Sequence, residues 1–165
     1  MKKKVLTWAL GLTMSATLVL GYLVFHQHEV KIQQEVLLQQ NGAAFVQNCF
    51  EKLGSLSYQD SEPFAPLQRY GSNENGSPAR IYLDHFLEII RKNQWIGTGS
   101  HTTVTYEYES DGNLSYHCET LFFFRDPTGK QVLHTELLGA SIKQDRPDHF
   151  VLVSVINDPV GARLP

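Results

Sequence analysis

Residues Ser115–Phe124, SYHCETLFFF, place a histidine directly before a cysteine in an aromatic run. His117 and Cys118 have the chemistry of a base and a thiol nucleophile, of half a disulfide, or of core. Strand alternation separates these readings, because successive strand residues point to opposite faces. Val104, Tyr106 and Tyr108 alternate with Thr103, Thr105 and Glu107, and Leu114, Tyr116, Cys118, Phe122 and Phe124 share a parity in the next strand. A three-residue loop, Ser110-Asp111-Gly112 with Gly112 left-handed, pairs Glu109 with Asn113. It sets Val104 opposite Cys118 and Tyr106 opposite Tyr116. Cys118 then points inward and His117 outward, beside Thr105. A base must reach its nucleophile within hydrogen-bond distance, so this pair is not a catalytic dyad.

The other cysteine, Cys49, falls near the end of the first helix. In an exported domain Cys49 and Cys118 are candidates for a disulfide if their Cα atoms lie within about 7 Å. Otherwise they are two buried free thiols.

The second hairpin carries the other ionisable candidates. If DPTG closes as the three-residue loop Pro127-Thr128-Gly129, Val132 opposes Phe124 and Leu138 opposes Cys118. His134 and Glu136 then face the core, giving a candidate pocket of Tyr106, Tyr108, His134 and Glu136. A four-residue loop turns His134 and Glu136 outward and brings Leu133 and Leu137 inside. In the first register Leu121, Phe123 and Leu133 share the outer sheet face, a candidate interaction patch.

No catalytic set, cofactor site or metal site is expected. His85 and Glu88 are i, i+3 without a third ligand, and His26 and His28 are i, i+2. There is no G-x-S-x-G, and GTGS (Gly97–Ser100) lacks the lysine and following helix of a phosphate loop. Sequons at Asn75 and Asn113 matter only in a glycosylating compartment.

The elements that position these residues follow from periodicity. Lys2, Lys3 and Lys4 precede Val5–Phe25, 21 residues without a formal charge and about 30 Å of helix. That reads as an uncleaved membrane anchor with the lysines cytoplasmic and the remainder exported. A helix follows from His26 to about Leu53, with Val36, Ala43, Val46, Phe50 and Leu53 near one face. Its glutamine-rich first half reads as a stalk, and Asn41-Gly42 is a candidate kink. A short helix is expected near Ala65–Tyr70. Ser77-Pro78 opens a second helix with Leu83, Phe86, Leu87 and Ile90 as its apolar stripe. Four strands complete the chain: His101–Glu109, Leu114–Arg125, Lys130–Lys143 and His149–Asn157. The fold class is α+β: an N-terminal transmembrane helix, then a long helix and a second helix packed on a curved four-stranded antiparallel meander. The expected parts are tail and anchor over 1–25, helical stalk over 26–42, and exported domain over 43–165.

With Lys2, Lys3 and Lys4 set aside, 11 of the 14 Lys and Arg remain against all 17 Asp and Glu, a formal charge of −6. That excludes the basic surface nucleic acid requires.

This order of anchor, long helix, second helix and antiparallel meander resembles the nuclear-transport-factor-like and cystatin-like α+β group. Among membrane-anchored members it looks like the bitopic inner-membrane assembly factors of bacterial type IV secretion and conjugation systems. The resemblance implies a single-pass protein of the bacterial inner membrane with an exported C-terminal domain. Its expected partners are the membrane, through residues 5–25, and other envelope proteins or further copies of itself. The leading expectation is a non-catalytic interaction or assembly domain. The alternatives are a small-ligand or enzymatic pocket and an inhibitor or immunity protein against an envelope toxin or hydrolase.

Overall fold

The computed structural model describes residues 2–60, 77–147 and 149–157, with side chains from residue 19 onward. The order is α1 (Lys2–Leu53), α2 (Pro78–Asn93), β1 (Ile96–Ser110), β2 (Asn113–Arg125), β3 (Gln131–Arg146) and β4 (His149–Asn157). The four strands form one antiparallel sheet in the order β1-β2-β3-β4. This is the expected α+β class: two helices, then a meander. The short helix expected near Ala65–Tyr70 lies outside the described residues.

The chain divides into two compact units, Met1–Leu38 and Gln39–Pro165. In the first, Val19, Leu20, Tyr22, Leu23, Val24 and Phe25 are all exposed. Among the described residues no helix is long and apolar enough to cross a membrane. The span expected over residues 5–25 falls largely on 5–18, whose side chains lie outside the description.

α1 is continuous through Asn41-Gly42. Gly42 does not interrupt it. A Cβ there would overlap the Tyr116 hydroxyl and come within 3.0 Å of Ile142 Cδ1, so the missing side chain lets the sheet approach the helix. In the second unit α1 buries Val46, Cys49, Phe50 and Leu53 completely.

α2 starts as its residue types require. The Ser77 side chain accepts from Arg80 N at 3.3 Å, and Pro78 stands where no N–H is needed. Ala79, Leu83, Phe86, Leu87 and Ile90 are buried. The helix ends at Gln94, left-handed at φ 53°, whose N–H donates to Arg91 O and Ile90 O.

β1 begins at Ile96, five residues before the expected start. Gly97-Thr98-Gly99 is bulged strand rather than a break. Gly97 N donates to Leu56 O at 2.8 Å, Gly99 N to Gly54 O at 3.0 Å and Tyr58 N to Trp95 O at 3.0 Å. The backbone after α1 therefore lies against this edge where a side chain would stand.

The first hairpin reaches the expected register by another route. Asp111 (φ 53°) and Gly112 (φ 73°) form a two-residue loop flanked by Ser110 and Asn113, as a type I′ turn does. A register shift between Tyr106 and Tyr108 absorbs the extra residue, Glu107. Beyond that bulge Val104 pairs with Cys118 and Tyr106 with Tyr116. The second hairpin closes over Pro127-Thr128-Gly129, with Phe124 opposite Val132 and Cys118 opposite Leu138. Asp126 holds this turn, its Oδ1 accepting from the Thr128 hydroxyl at 2.7 Å and from the N–H groups of Thr128 and Lys130 at 2.9 Å.

The core lies between the helices and the even-numbered face of β2 and β3. Leu114, Tyr116, Cys118, Thr120, Phe122, Phe124, Leu138, Ala140 and Ile142 are all buried there.

Candidate functional site

His134 and Glu136 occupy adjacent same-face positions on β3. His134 Nε2 and Glu136 Oε1 are 2.7 Å apart, with the two side chains 27% and 13% exposed. From α2, the Tyr82 hydroxyl donates to Glu136 Oε2 at 2.5 Å. Glu136 therefore joins a helix to the sheet through both carboxylate oxygens. A carboxylate only accepts, so this network assigns the imidazole proton to Nε2. Burial first, and then the Glu136 charge and hydrogen bond, push the Tyr82 phenol well above its ordinary range.

Aromatic rings wall this cluster. The His134 ring lies 6.3 Å from Phe86, 5.9 Å from Trp95 and 6.2 Å from Phe122. Trp95 in turn stacks on Phe124 at 5.0 Å. Within hydrophobic surroundings a carboxylate needs its hydrogen bonds, and Tyr82 and His134 supply one to each oxygen. A histidine oriented by a carboxylate is two parts of a nucleophile–base–acid set. Among the described residues no hydroxyl or thiol hydrogen-bonds the His134 ring, and no three His, Cys, Asp or Glu groups gather to hold a metal.

Tyr106 and Tyr108 do not join the cluster expected for them. Tyr106 pairs with Tyr116, which pairs with Ala140, four residues and about 13 Å along β3 from Glu136. Its ring packs edge-on against Tyr116 at 5.7 Å. Tyr108 is 56% exposed, because the Glu107 bulge shifts it from the core-facing parity. Tyr82 and Trp95 take the places beside His134 and Glu136. Tyr82 was legible as the residue four before Phe86 on one helix face. Trp95 depended on how the chain leaves α2.

Both cysteines are buried and free. Burial pushes each thiol up to about 12. A thiol held that far above neutral pH carries almost no thiolate, the reactive form. His117 lies on the outer face, with both ring nitrogens buried and unpartnered. Its Nε2 is 3.9 Å from Glu119 Oε1, beyond hydrogen-bond reach.

Leu121, Phe123 and Leu133 lie on the outer face, opposite the helices. Phe123 pairs with Leu133; Leu121 and Phe123 are half-buried and Leu133 is 59% exposed. Leu137 (half-buried) and Ile156 (56% exposed, paired with Gly139) extend the apolar surface. A register shift between Ser141 and Ile142 in the β3–β4 ladder hid Ile156 from simple alternation. A separate open groove is lined by Asn41, Ala44, Phe45 and Asn48 of α1 and by Phe150 of β4.

The fold defines an α+β domain with a helical pair on one face of a four-stranded antiparallel meander and an apolar patch on the opposite face. It is similar to an IcmL-like type IV secretion system protein from Legionella pneumophila, at 10% identity and a TM-score of 0.52, covering 72% of this chain and 90% of that one. The architectural resemblance read from the order of elements is thus found. The chain matches no protein-family model and no curated protein.

Proposed function

We propose that this chain is a membrane-tethered, non-catalytic assembly domain of a bacterial cell-envelope complex of the secretion type. The observation that carries this reading is the apolar outer face formed by Leu121, Phe123, Leu133, Leu137 and Ile156. A sheet face that no described residue covers, and that carries large apolar side chains, suits a protein contact. The shared fold with a type IV secretion system protein supports the kind of machine.

The tether is residues 1–25. Apolar side chains exposed all round a helix, as at Val19–Phe25, suit lipid contact, and the uncharged run extends back to Val5. Lys2, Lys3 and Lys4 orient it with the N-terminus cytoplasmic and the domain exported from the inner membrane. Residues 26–42 act as a helical stalk and 43–165 as the exported domain.

The test is crosslinking in native membranes, followed by purification in mild detergent and identification of what accompanies the protein. Recurrent envelope proteins, lost when Phe123 and Leu133 are changed to serine, are the expected result. A protein that is monomeric, soluble without detergent and crosslinked to nothing would overturn it.

A further inference from the structure

We infer that the first half of β3, Gln131 to Glu136, is a strand-addition site that takes an extended, basic segment of a partner chain. The inference rests on the reading of this domain as an interaction module, and adds to it the edge and the partner's chemistry.

β3 is longer than the strand beside it. Its pairing with β4 begins only at Leu138, whereas its pairing with β2 runs unbroken from Gln131 to Lys143. Gln131 to Glu136 therefore pair on one side only, among the described residues. The direction of their backbone groups follows from the turn. Asp126 N donates to Lys130 O at 3.0 Å, so Asp126 and Lys130 face each other as a hydrogen-bonded pair. Such pairs recur every second residue in an antiparallel ladder. Val132, His134 and Glu136 thus bond to β2, and Leu133 and Thr135 turn their N–H and C=O groups to the open side.

The other sheet edges are less suited. β1 is covered near its start by residues 54–58 and is bulged at Glu107, and β4 carries the register shifts of its pairing with β3. Bulges and covering segments are how sheets blunt their edges. Among the described residues the first half of β3 has neither. Its only acidic side chain, Glu136, points to the inner face.

That carboxylate sets the chemistry of the guest. Inner-face residues of an added strand would stand about 5 Å from His134 and Glu136. A lysine or arginine there meets the partly exposed Glu136 charge, and an acidic residue meets repulsion. On the outer face the guest meets exposed Leu133, which suits an apolar residue. The motif is therefore alternating basic and β-branched, read through backbone hydrogen bonds.

The full chain in mild detergent is titrated with a peptide of alternating valine and lysine, and with its valine–glutamate counterpart. Amide hydrogen exchange is read at Leu133 and Thr135. At ten times Kd the valine–lysine peptide should slow both amides about tenfold, and the glutamate peptide should not. Thr135→Pro removes an outward N–H without touching the β2 ladder, and Thr135→Lys places a blocking charge at the edge. Both should abolish the slowing with the circular dichroism spectrum retained, and Thr135→Val should not. Unchanged exchange at Leu133 and Thr135, equal effects of the two peptides, or protection confined to the outer face around Phe123 would overturn the inference. Envelope partners that survive Thr135→Pro but not the Phe123 and Leu133 changes would leave the proposed function standing and remove this site.

Discussion

The Tyr116 hydroxyl fills the space that Gly42 leaves by lacking a side chain, and from there donates a 2.9 Å hydrogen bond to the Gln39 carbonyl. The helix backbone there meets the far end of a β2 side chain. Gly42→Ala gains up to about 1 kcal/mol of helix propensity but collides with that hydroxyl, and overpacking of this kind costs about 1–3 kcal/mol. The substitution should lower the urea midpoint. In a Tyr116→Phe background, where the hydroxyl is gone, the cost should shrink. Equal costs in both backgrounds would separate the two residues.

Tyr82→Phe should destabilise by about 1.5–3 kcal/mol, the range for a hydrogen bond to a charged group. The change deletes only the oxygen that reaches Glu136 Oε2 and leaves the ring contacts with Phe50 and Phe86. In a Glu136→Gln background the loss should be smaller, since the acceptor is then neutral. Denaturant unfolding of the four proteins forms a cycle that measures the coupling.

His117→Leu should be neutral or stabilising by up to about 2 kcal/mol. The wild-type ring buries two nitrogens that meet no partner, and such groups cost about 1–3 kcal/mol each. A loss of stability in thermal unfolding would show that the ring supplies something its surroundings do not reveal.

Cys49 and Cys118 should resist iodoacetamide at pH 8 in the folded protein and react fully after denaturation, each on a separate peptide in unreduced digests. Their folded values, about 12, lie above the ordinary 9.0. The unfolded state therefore ionises first. The contribution is complete below pH 9 and is lost as pH rises from 9 toward 12.

Asp126 behaves in the opposite sense. The Thr128 hydroxyl, with the N–H groups of Lys130 and Thr128, holds its carboxyl below the ordinary 3.8. Its contribution is present above that value and disappears as pH falls through the lower folded one. Asp126→Asn should therefore weaken the β2–β3 turn at pH 7, and its cost should shrink as pH falls below 3.8, by thermal unfolding across that range.

The register of the second hairpin was legible as a pair of alternatives, and the three-residue loop with Gly129 at φ 84° realises one of them. The sequence by itself determined the elements: Ser77-Pro78 begins a helix because of what serine accepts and proline lacks. Alternation likewise put Cys118 inside and His117 outside, because side-chain direction in a strand is a local property. Only the tertiary structure decided the company these residues keep. One bulged residue, Glu107, moved Tyr108 to the exposed side, and the path of α2 over the sheet brought Tyr82 to Glu136 and Trp95 to His134. Such contacts depend on how separate elements cross, which no local periodicity encodes. The same holds for Gly42, whose meaning as a helix residue appears only once Tyr116, 74 positions away, is packed against it.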